Sequence, residues 1–437
     1  MKKTGLFLNM IAILIWIGCS KTNNSPGPSS PTGPTGPTTP TTPTISSLVP
    51  DSGAYNTTVT IIGTNFNTNA SMDVVTFNGV TAVVNSATAT QLSVTVPKGA
   101  GTGAVKATVG GQTITGPVFN YVYTYTISTL AGGNQGDMDG TGTAAEFYMP
   151  FGVAVDSSGN VIVADAANNK IRSITPAGVV TTIAGVTGKS GYQDGPASSA
   201  LFLVPTSVAV DAMGNILVAD AENYKIRAIS PSGNVSTIAG TTQGEKDGSA
   251  AKAQFDSPSE LTVDVNGKIY VCDAHYIRLI DGGSVSTLYD GKSYTSTLNS
   301  FTAIALQQNG NLALLDDFGA NVFSLTSGGT FSVLAGNGLL AYLDGPALSA
   351  DFSSALGLAV DGAGNILIAD EANQRIRLLT PGGNVSTVAG INTGGDVDGP
   401  AATAELYYPH AIAVDRKTGN IYVAETMSNR IRKITVE

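Results

Sequence analysis

The residues that could do chemistry in this chain are acidic and basic side chains that recur at a regular spacing. An Asp-Gly pair occurs in five loops, and a Lys/Arg-Ile-Arg segment or its variant follows each loop. The aspartates are Asp139, Asp194, Asp247, Asp344 and Asp398, and the arginines are Arg172, Arg227, Arg278, Arg377 and Arg432. Loop carboxylates can bind calcium, but these loops lack the remaining spaced ligands and the terminal Glu of a calcium loop. We therefore predict structural Asp–Arg pairs and no metal.

One copy of the pattern lacks both partners, which favours the pairing. Its loop, from Gly291 to Ser300, has no Asp-Gly pair, and Ser324 stands at the expected Arg position. A buried Arg left without a carboxylate would cost about 3–5 kcal/mol, so losing both residues avoids that cost. The alternative partner for each Arg is an acidic residue on the preceding strand, such as Asp165 or Glu425.

The sequence shows no recognisable set of catalytic residues. The only two histidines are His275 and His410, and they lie three copies apart in the repeat. No nucleophile elbow, phosphate-binding loop or His-Glu-x-x-His motif occurs. The sequence thus favours a protein that is not an enzyme and has no cofactor. The alternative is a lyase or lactonase with a metal at the mouth of a funnel.

The elements that must position these residues come from a repeat that occurs six times. Its copies centre on positions 156, 211, 264, 307, 361 and 415, which are 43 to 55 residues apart. In each copy, four short apolar runs are separated by Gly, Asn, Pro and Asp turns. A four-stranded unit of this length, repeated in a ring, is the blade of a β-propeller.

The two ends of the repeat indicate how the ring closes. The sixth copy stops at Glu437 without its fourth strand, whereas a matching strand, Thr126-Ile-Ser-Thr-Leu-Ala-Gly132, precedes the first copy. Pairing these ends removes two exposed sheet edges. The sequence therefore predicts an all-β chain in which residues 125–437 form a six-bladed propeller closed by its N-terminal strand.

The Val-Ala-Val-Asp, Gly-Asn and Lys/Arg-Ile-Arg signatures resemble those of NHL-repeat, TolB-like propellers. This resemblance implies the six-bladed fold. It implies little about function, because NHL-like propellers include a zinc-dependent peptide-amidating lyase domain, RNA-binding modules and bacterial surface proteins.

A smaller all-β domain precedes the propeller, over residues 44–122. Alternating runs such as Val59-Thr-Ile-Ile62 and Val74-Val-Thr-Phe77 lie between Gly and Asn turns, which predicts an immunoglobulin-like β-sandwich. Val59-Thr-Ile-Ile-Gly63-Thr-Asn65-Phe66 and Val75-Thr-Phe-Asn-Gly79 resemble the IPT/TIG module. That resemblance implies a spacer or protein-contact unit.

The N-terminus has the features of an exported, lipid-anchored protein. Residues 1–18 read as a signal peptide, with Lys2 and Lys3 before an apolar run, and Ile17-Gly18-Cys19 resembles a bacterial lipobox. Cys19 would carry the lipid, and the Pro/Thr-rich segment 19–43 would act as a tether. We expect a lipoprotein at the outer membrane or cell surface of a Gram-negative bacterium.

The candidate binding residues precede or begin the first strand of a copy and break the regularity of the repeat. They are Tyr148, Phe151, Tyr408 and His410, and Glu260 is an acidic exception at a similar position. With a net charge of −10 and no basic cluster, the chain is a poor candidate for nucleic-acid binding. The predicted function is a binding or scaffold protein whose propeller loop face binds a glycan, peptide or protein, with only the N-terminal lipid touching the membrane.

Overall fold

The computed structural model describes residues 42–293, 300–316 and 318–437 of the chain. The predicted signal peptide, Cys19 and most of the predicted tether lie outside these residues. The described part is all-β, with short 3-10 turns and no α-helix. No helix within it is both long and apolar enough to cross a lipid bilayer.

The N-terminal domain is a β-sandwich whose strands alternate buried and exposed residues. Alternation of this kind places one face of each sheet in the core, where Val59, Ile61, Phe77, Val94 and Phe119 are fully buried. Its strands are Thr44–Val49, Ser52–Gly53, Thr58–Thr64, Asp73–Phe77, Val80–Ala87, Gln91–Thr95, Gly103–Val109 and Gln112–Tyr121.

The propeller has six blades, and the strands of each blade are called a to d from the axis outward. Blade 1 comprises Pro150–Val155, Val161–Asp165, Lys170–Ile174 and Val179–Ala184; blade 2 comprises Pro205–Val210, Ile216–Asp220, Lys225–Ile229 and Asn234–Ala239; blade 3 comprises Pro258–Val263, Ile269–Asp273, Tyr276–Asp281 and Ser284–Asp290. Blade 4 comprises Phe301–Leu306, Leu312–Asp316, Val322–Leu325 and Phe331–Ala335; blade 5 comprises Ala355–Val360, Ile366–Asp370, Arg375–Leu379 and Asn384–Ala389; blade 6 comprises Pro409–Val414, Ile421–Glu425, Arg430–Val436 and Tyr125–Gly132.

The predicted closure of the ring is confirmed. Tyr125–Gly132 is strand d of blade 6 and pairs antiparallel with Arg430–Val436, with Arg432 opposite Thr129. The ladder extends one residue further, because Thr124 and Glu437 exchange backbone hydrogen bonds. The first and last strands of the propeller therefore hold each other in the same sheet.

The propeller has two faces, which the register of the strands defines. The loop face contains the starts of strands a and the b–c loops, since Pro150 pairs with Asp165 and Asp165 pairs with Lys170. The hairpin face contains the a–b and c–d hairpins. Between the two faces, most strand b residues are buried on both sides of the sheet, because every blade packs between two others.

The long loops between blades do not follow the course expected of binding loops on the loop face. They descend along the outer edge of the blade that they enter, where Gly140 pairs with Val180 and Gly142 donates to the Gly178 carbonyl of the c–d hairpin. Five blades thereby gain a two-residue fifth strand. These strands are Gly140–Thr141, Gly195–Pro196, Gly248–Ser249, Gly345–Pro346 and Gly399–Pro400. The Asp-Gly pairs thus lead into edge strands, and we call these segments crossover loops.

The register of blade 4 corrects one residue of the sequence analysis. Arg172 lies opposite Val163, and the equivalent strand b residue of blade 4, Leu314, lies opposite Phe323. Phe323 therefore occupies the Arg position, and Ser324 lies one residue beyond it. The prediction failed at this point because this copy has no Lys/Arg-Ile-Arg segment to mark its register.

Candidate functional site

The loop aspartates and strand c arginines form one structural clamp in each of five blades. In blade 1, the fully buried Arg172 donates from Nη1 to Asp165 Oδ2 and from Nη2 to Asp139 Oδ1, both at 2.7 Å. It also donates to the carbonyls of Met138 and Glu146 on both sides of the crossover loop. One guanidinium therefore fastens the descending and returning parts of the loop to the blade.

The structure contains all five predicted Asp–Arg pairs, at 2.6–2.8 Å. The alternative partner is present as well, because each arginine also contacts the buried acid that ends strand b, at 2.6–2.9 Å. Each loop Asp is in addition bound by a backbone N–H of strand d, from Thr182, Thr237, Thr287, Thr387 or Thr129. These carboxylates therefore serve the fold.

The clamp also holds an apolar side chain between neighbouring blades. Phe147 on the returning part of the first crossover loop is fully buried among residues of blades 6 and 1, and its ring centroid lies 5.1 Å from the Arg172 guanidinium carbon. Phe202, Phe255 and Phe352 repeat this contact, and the buried Leu406 takes the position before blade 6. Phe255 and Phe352 are fully buried and thus pack beneath the loops.

The predicted binding residues lie on the loop face of blades 1, 5 and 6. Phe151 and His410 come together across neighbouring strands a, with their rings edge to face at 4.6 Å. Burial lowers the pKa of His410 to about 4, so this imidazole is neutral at pH 7. Tyr148 and Tyr408 are each 37% exposed, and neither lines the axial cavity described below. A binding role for these four residues remains a prediction.

The histidines are not arranged for a shared metal. His275 is buried in the b–c loop of blade 3, where its ring contacts that of Tyr276 at 3.9 Å, while His410 belongs to blade 6. In the part of the chain that the structure describes, no group of three or more His, Cys, Asp or Glu residues could hold a metal ion. Cys272 is a buried free thiol whose pKa is raised by burial, so it is a weak nucleophile.

The main cavity lies on the propeller axis and opens at the hairpin face. It has a volume of about 500 Å³ and is enclosed by strands a of all six blades. Its wall includes an apolar ring, one residue from each blade: Val153, Val208, Leu261, Ile304, Leu358 and Ile412. Its size is that of a small-molecule site, and its wall combines apolar side chains with polar groups.

The end of the cavity is set by close packing of strands a. At Gly152 a Cβ atom would lie 2.6 Å from the Thr206 carbonyl oxygen, and at Gly357 it would lie 2.4 Å from that of His410. The equivalent positions hold Ser207, Ala303 and Ala411, which are also small. At Gly152 and Gly357 a Cβ atom would collide with the neighbouring strand a, so the strands approach closely and the axis is narrow here.

Glu260 is the one large side chain at that level, and it is the deepest residue of the cavity wall. Ser207 on strand a of the neighbouring blade hydrogen-bonds its carboxyl group. Burial raises the pKa of Glu260 to about 8, because no nearby cation offsets the loss of water. At neutral pH the carboxyl is therefore mainly protonated, and it can both donate and accept a hydrogen bond.

The mouth of the cavity is acidic. Asp156, Asp211, Asp264 and Asp415 line it, together with Arg416 and Lys417 of blade 6. Each of these aspartates directly follows strand a and accepts backbone N–H bonds in its own a–b hairpin. They shape the hairpins, and their charges also give the mouth a negative potential.

Sequence reasoning noticed Glu260 only as an exception and placed the binding face at the other end of the axis. The available signal was the mismatch itself. A Glu stands where other copies have Gly, Ser or Ala, at the start of a strand that packs tightly against its neighbours. A large ionisable residue at such a position is unexpected for packing and is therefore a candidate for function.

Comparisons with known proteins agree with this architecture. Residues 43–125 match the IPT/TIG domain, and residues 147–172, 202–229 and 406–434 match the NHL repeat. The chain combines an IPT/TIG domain with NHL repeats. A structural genomics protein of unknown function from Bacteroides thetaiotaomicron VPI-5482 has the same fold, with a TM-score of 0.64 and 21% identity over 90% of this chain and 98% of that one.

Further relatives share parts of the chain. An auxiliary nutrient binding protein from the same Bacteroides strain superposes with a TM-score of 0.55 at 17% identity, over 90% of this chain and 98% of that one. Among curated sequences, Arabidopsis thaliana Protein SUPPRESSOR OF QUENCHING 1, chloroplastic, is 28% identical over 57% of this chain and 26% of its own length. Human Teneurin-4 is 28% identical over 68% of this chain. The chain spans about a quarter of the first relative and 12% of Teneurin-4.

Proposed function

We propose that this protein is a lipid-anchored binding protein of the bacterial cell envelope, and that its propeller binds a small organic molecule in the axial cavity. The observation that carries the proposal is the cavity itself. About 500 Å³ of space is surrounded by six strands, with a ring of apolar residues, charged residues at the mouth and one carboxyl group, Glu260, at the closed end. Specific small-molecule sites have this composition.

The rest of the fold holds the cavity in a fixed shape, as in a pre-formed binding site. The five clamps tie the crossover loops to the blades, and the closing strand pair joins the chain ends. Strands a are therefore held by the packing of every blade, which keeps the cavity shaped before a ligand arrives. Two solved structures with this fold are described as auxiliary nutrient binding proteins, and a related role for this chain belongs to the proposal.

The location in the envelope rests on the sequence. A signal peptide, Cys19 and a Pro/Thr-rich tether precede the sandwich and the propeller. In this proposal the lipid on Cys19 anchors the protein, the tether and sandwich hold the propeller away from the membrane, and the cavity takes up the ligand. None of the residues that line the cavity comes from the sandwich.

A mouth-blocking variant tests the cavity as the binding site. Ala212 lies exposed at the cavity mouth, so Ala212→Trp should obstruct entry without disturbing the core. The control is Ala363→Trp, because Ala363 is also exposed on an a–b hairpin but lies outside the cavity wall. The wild type is screened against metabolites, sugars and peptides by ligand-observed NMR, and hits are titrated against both variants.

We expect binding that is saturable, is lost in Ala212→Trp and is retained in Ala363→Trp. If a ligand instead binds Ala212→Trp normally and is lost with Tyr148→Ala or Tyr408→Ala, the site lies on the loop face and the proposal is wrong. Stoichiometric metal that survives dialysis of the purified protein would support the metal-dependent enzyme in its place.

A further inference from the structure

We propose, building on the function proposed above, that the axial cavity selects ligands with a primary ammonium group on an aliphatic stem. The ammonium would reach Glu260 at the closed end, and the stem would lie along the apolar ring. The ligand class follows from what the cavity places in order along its axis: an acidic mouth, an apolar middle and a single carboxyl group at the bottom.

The carboxyl group at the bottom has the geometry of a ligand contact. Glu260 belongs to the cavity wall, and Ser207 is its hydrogen-bond partner from the neighbouring blade. Ser207 Oγ also accepts the Leu261 N–H at 3.2 Å, which fixes the hydroxyl between the two strands. A carboxyl held in this way keeps acceptor capacity for one further partner in the cavity.

The middle of the cavity fits a stem without polar groups. Leu261 and its five equivalents surround the axis one residue above Glu260, and Ala209, Ala305 and Val263 continue the wall toward the mouth. Glu260 and Asp264 are four residues apart on one strand, which corresponds to about 13 Å. An aliphatic chain can run along these apolar side chains toward Glu260.

The mouth favours a cation over an anion. Its four aspartates outnumber Arg416 and Lys417, and a recess lined mainly by one sign of charge concentrates the opposite charge. Lys417 is also engaged with the Ser157 carbonyl of the neighbouring blade. An ammonium ion is therefore drawn toward the opening, whereas a carboxylate ligand is repelled.

The other titratable groups around Glu260 do not supply a cation at the bottom. Cys272 lies on strand b directly opposite Glu260, and its thiol stays protonated. Strands a of blades 2 and 4, on either side, contribute Ser207 and Ala303 at this level. The remaining charges are those at the mouth. A ligand ammonium would thus be the partner that lets Glu260 ionise.

Binding should therefore be linked to proton release. The pKa of free Glu260 is about 8, and an adjacent ammonium lowers the pKa of a carboxyl group. Below pH 8 the free protein holds the proton and the complex does not, so one proton leaves on binding. Affinity should rise about tenfold per pH unit up to pH 8 and level off above it.

The test uses 1-aminohexane as the probe and 1-hexanol as the neutral control of the same length. Isothermal titration of the mature protein at pH 6, 7 and 8, in two buffers with different ionisation heats, counts the protons released. We expect the amine to bind better than the alcohol at pH 8, with close to one proton released at pH 6. Glu260→Gln should lose the proton release and weaken amine binding about tenfold or more.

The matched control is Glu222→Gln, because Glu222 is exposed on a b–c loop at the other face. If Glu260→Gln does not fold, as judged by circular dichroism, the pH dependence and proton count of the wild type still decide. Equal binding of amine and alcohol, or amine binding without proton release, would overturn the inference. If the ligands that bind in the cavity carry no amine, this inference is wrong but the proposed function stands. If no ligand is found whose binding Ala212→Trp blocks, both are wrong.

Discussion

Two regions of the propeller bury carboxyl groups in opposite ways. In the clamps, Asp220 is fully buried but its Oδ2 lies 2.6 Å from Nη1 of Arg227. At the cavity end, Glu260 is partly exposed to the cavity, and Ser207 is its hydrogen-bond partner. The clamp charges are matched within the fold, whereas Glu260 retains capacity for a partner from outside. Buried acids in one chain can thus be structural or available for binding, and their partners show which.

Blade 4 exchanges the Arg and the Thr of the clamp together but keeps Asp316, the acid that ends strand b. Phe323 stands at the Arg position and Val333, opposite it on strand d, stands where the other blades have Thr. Phe323 stacks on Phe331 at 4.8 Å, and Phe331 stacks on Tyr289 at 4.6 Å. An aromatic cluster here takes the place of the arginine, and Asp316 accepts a hydrogen bond from the Gly319 N–H.

The largest expected effect comes from breaking a clamp. Arg227→Ala leaves Asp220 buried without its cation and releases the crossover loop at the Gln193 and Leu201 carbonyls. We expect a loss of about 3–5 kcal/mol in the free energy of unfolding, measured by urea denaturation. Arg430→Ala is the control, because Arg430 is only partly buried and pairs with the exposed Asp396. Equal losses in the two variants would show that burial of the arginine is unimportant.

The cavity acid should behave differently from the clamp acids when pH changes. The folded-state pKa of Glu260, about 8, lies above its unfolded value near 4.5, so its contribution to stability is fully present below pH 4.5 and is lost as pH rises to 8. Glu260→Gln removes this loss. The difference in the free energy of unfolding between the variant and the wild type should shift by about 3 kcal/mol in favour of the variant from pH 5 to pH 8. A difference between the two proteins that stays constant over this range would contradict the raised pKa.

Converting blade 2 to the blade 4 type sharpens the comparison. The triple variant Asp194→Ala, Arg227→Phe and Thr237→Val copies the residues that blade 4 has lost or exchanged. Its free energy of unfolding should be about 1–2 kcal/mol higher than that of Arg227→Phe alone, because fewer polar groups are left without partners. Denaturation of the single and triple variants side by side provides the measurement. A triple variant less stable than the single one would show that the blade 4 exchange depends on its own aromatic surroundings.

The smallest effect is expected from the outer carboxylate of a clamp. The side chain of Asp194 is 38% exposed, so water can partly replace its contacts with Arg227 and the Thr237 N–H. Asp194→Asn should cost about 1 kcal/mol. The inner acid gives the contrast, since Asp220→Asn should cost clearly more in the same urea titration. If the two substitutions cost the same, the distinction between inner and outer partners fails.

The sequence was sufficient for the features that local spacing encodes. Six copies of a four-stranded unit predicted the blades, and the missing last strand together with Thr126–Gly132 predicted the closure. The joint absence of Asp-Gly and Arg in one copy pointed to their pairing. The blades follow from residue order because the strands of blades 1 to 5 are neighbours in sequence, and the closure follows from comparing the two ends of the repeat. The assignment of Ser324 failed where the copy had lost its markers.

Only the tertiary structure decided where the cavity lies and how far the pKa of the carboxyl group at its end is raised. The crossover loops descend along the blade edges because the clamps hold them there, which leaves the loop face without the expected binding loops. The axis narrows at Gly152 and Gly357 and widens toward Asp156 because six strands meet at one radius. The raised pKa of Glu260 likewise depends on what neighbouring blades place around it. Such properties arise from residues far apart in the chain, so no single copy of the repeat could predict them.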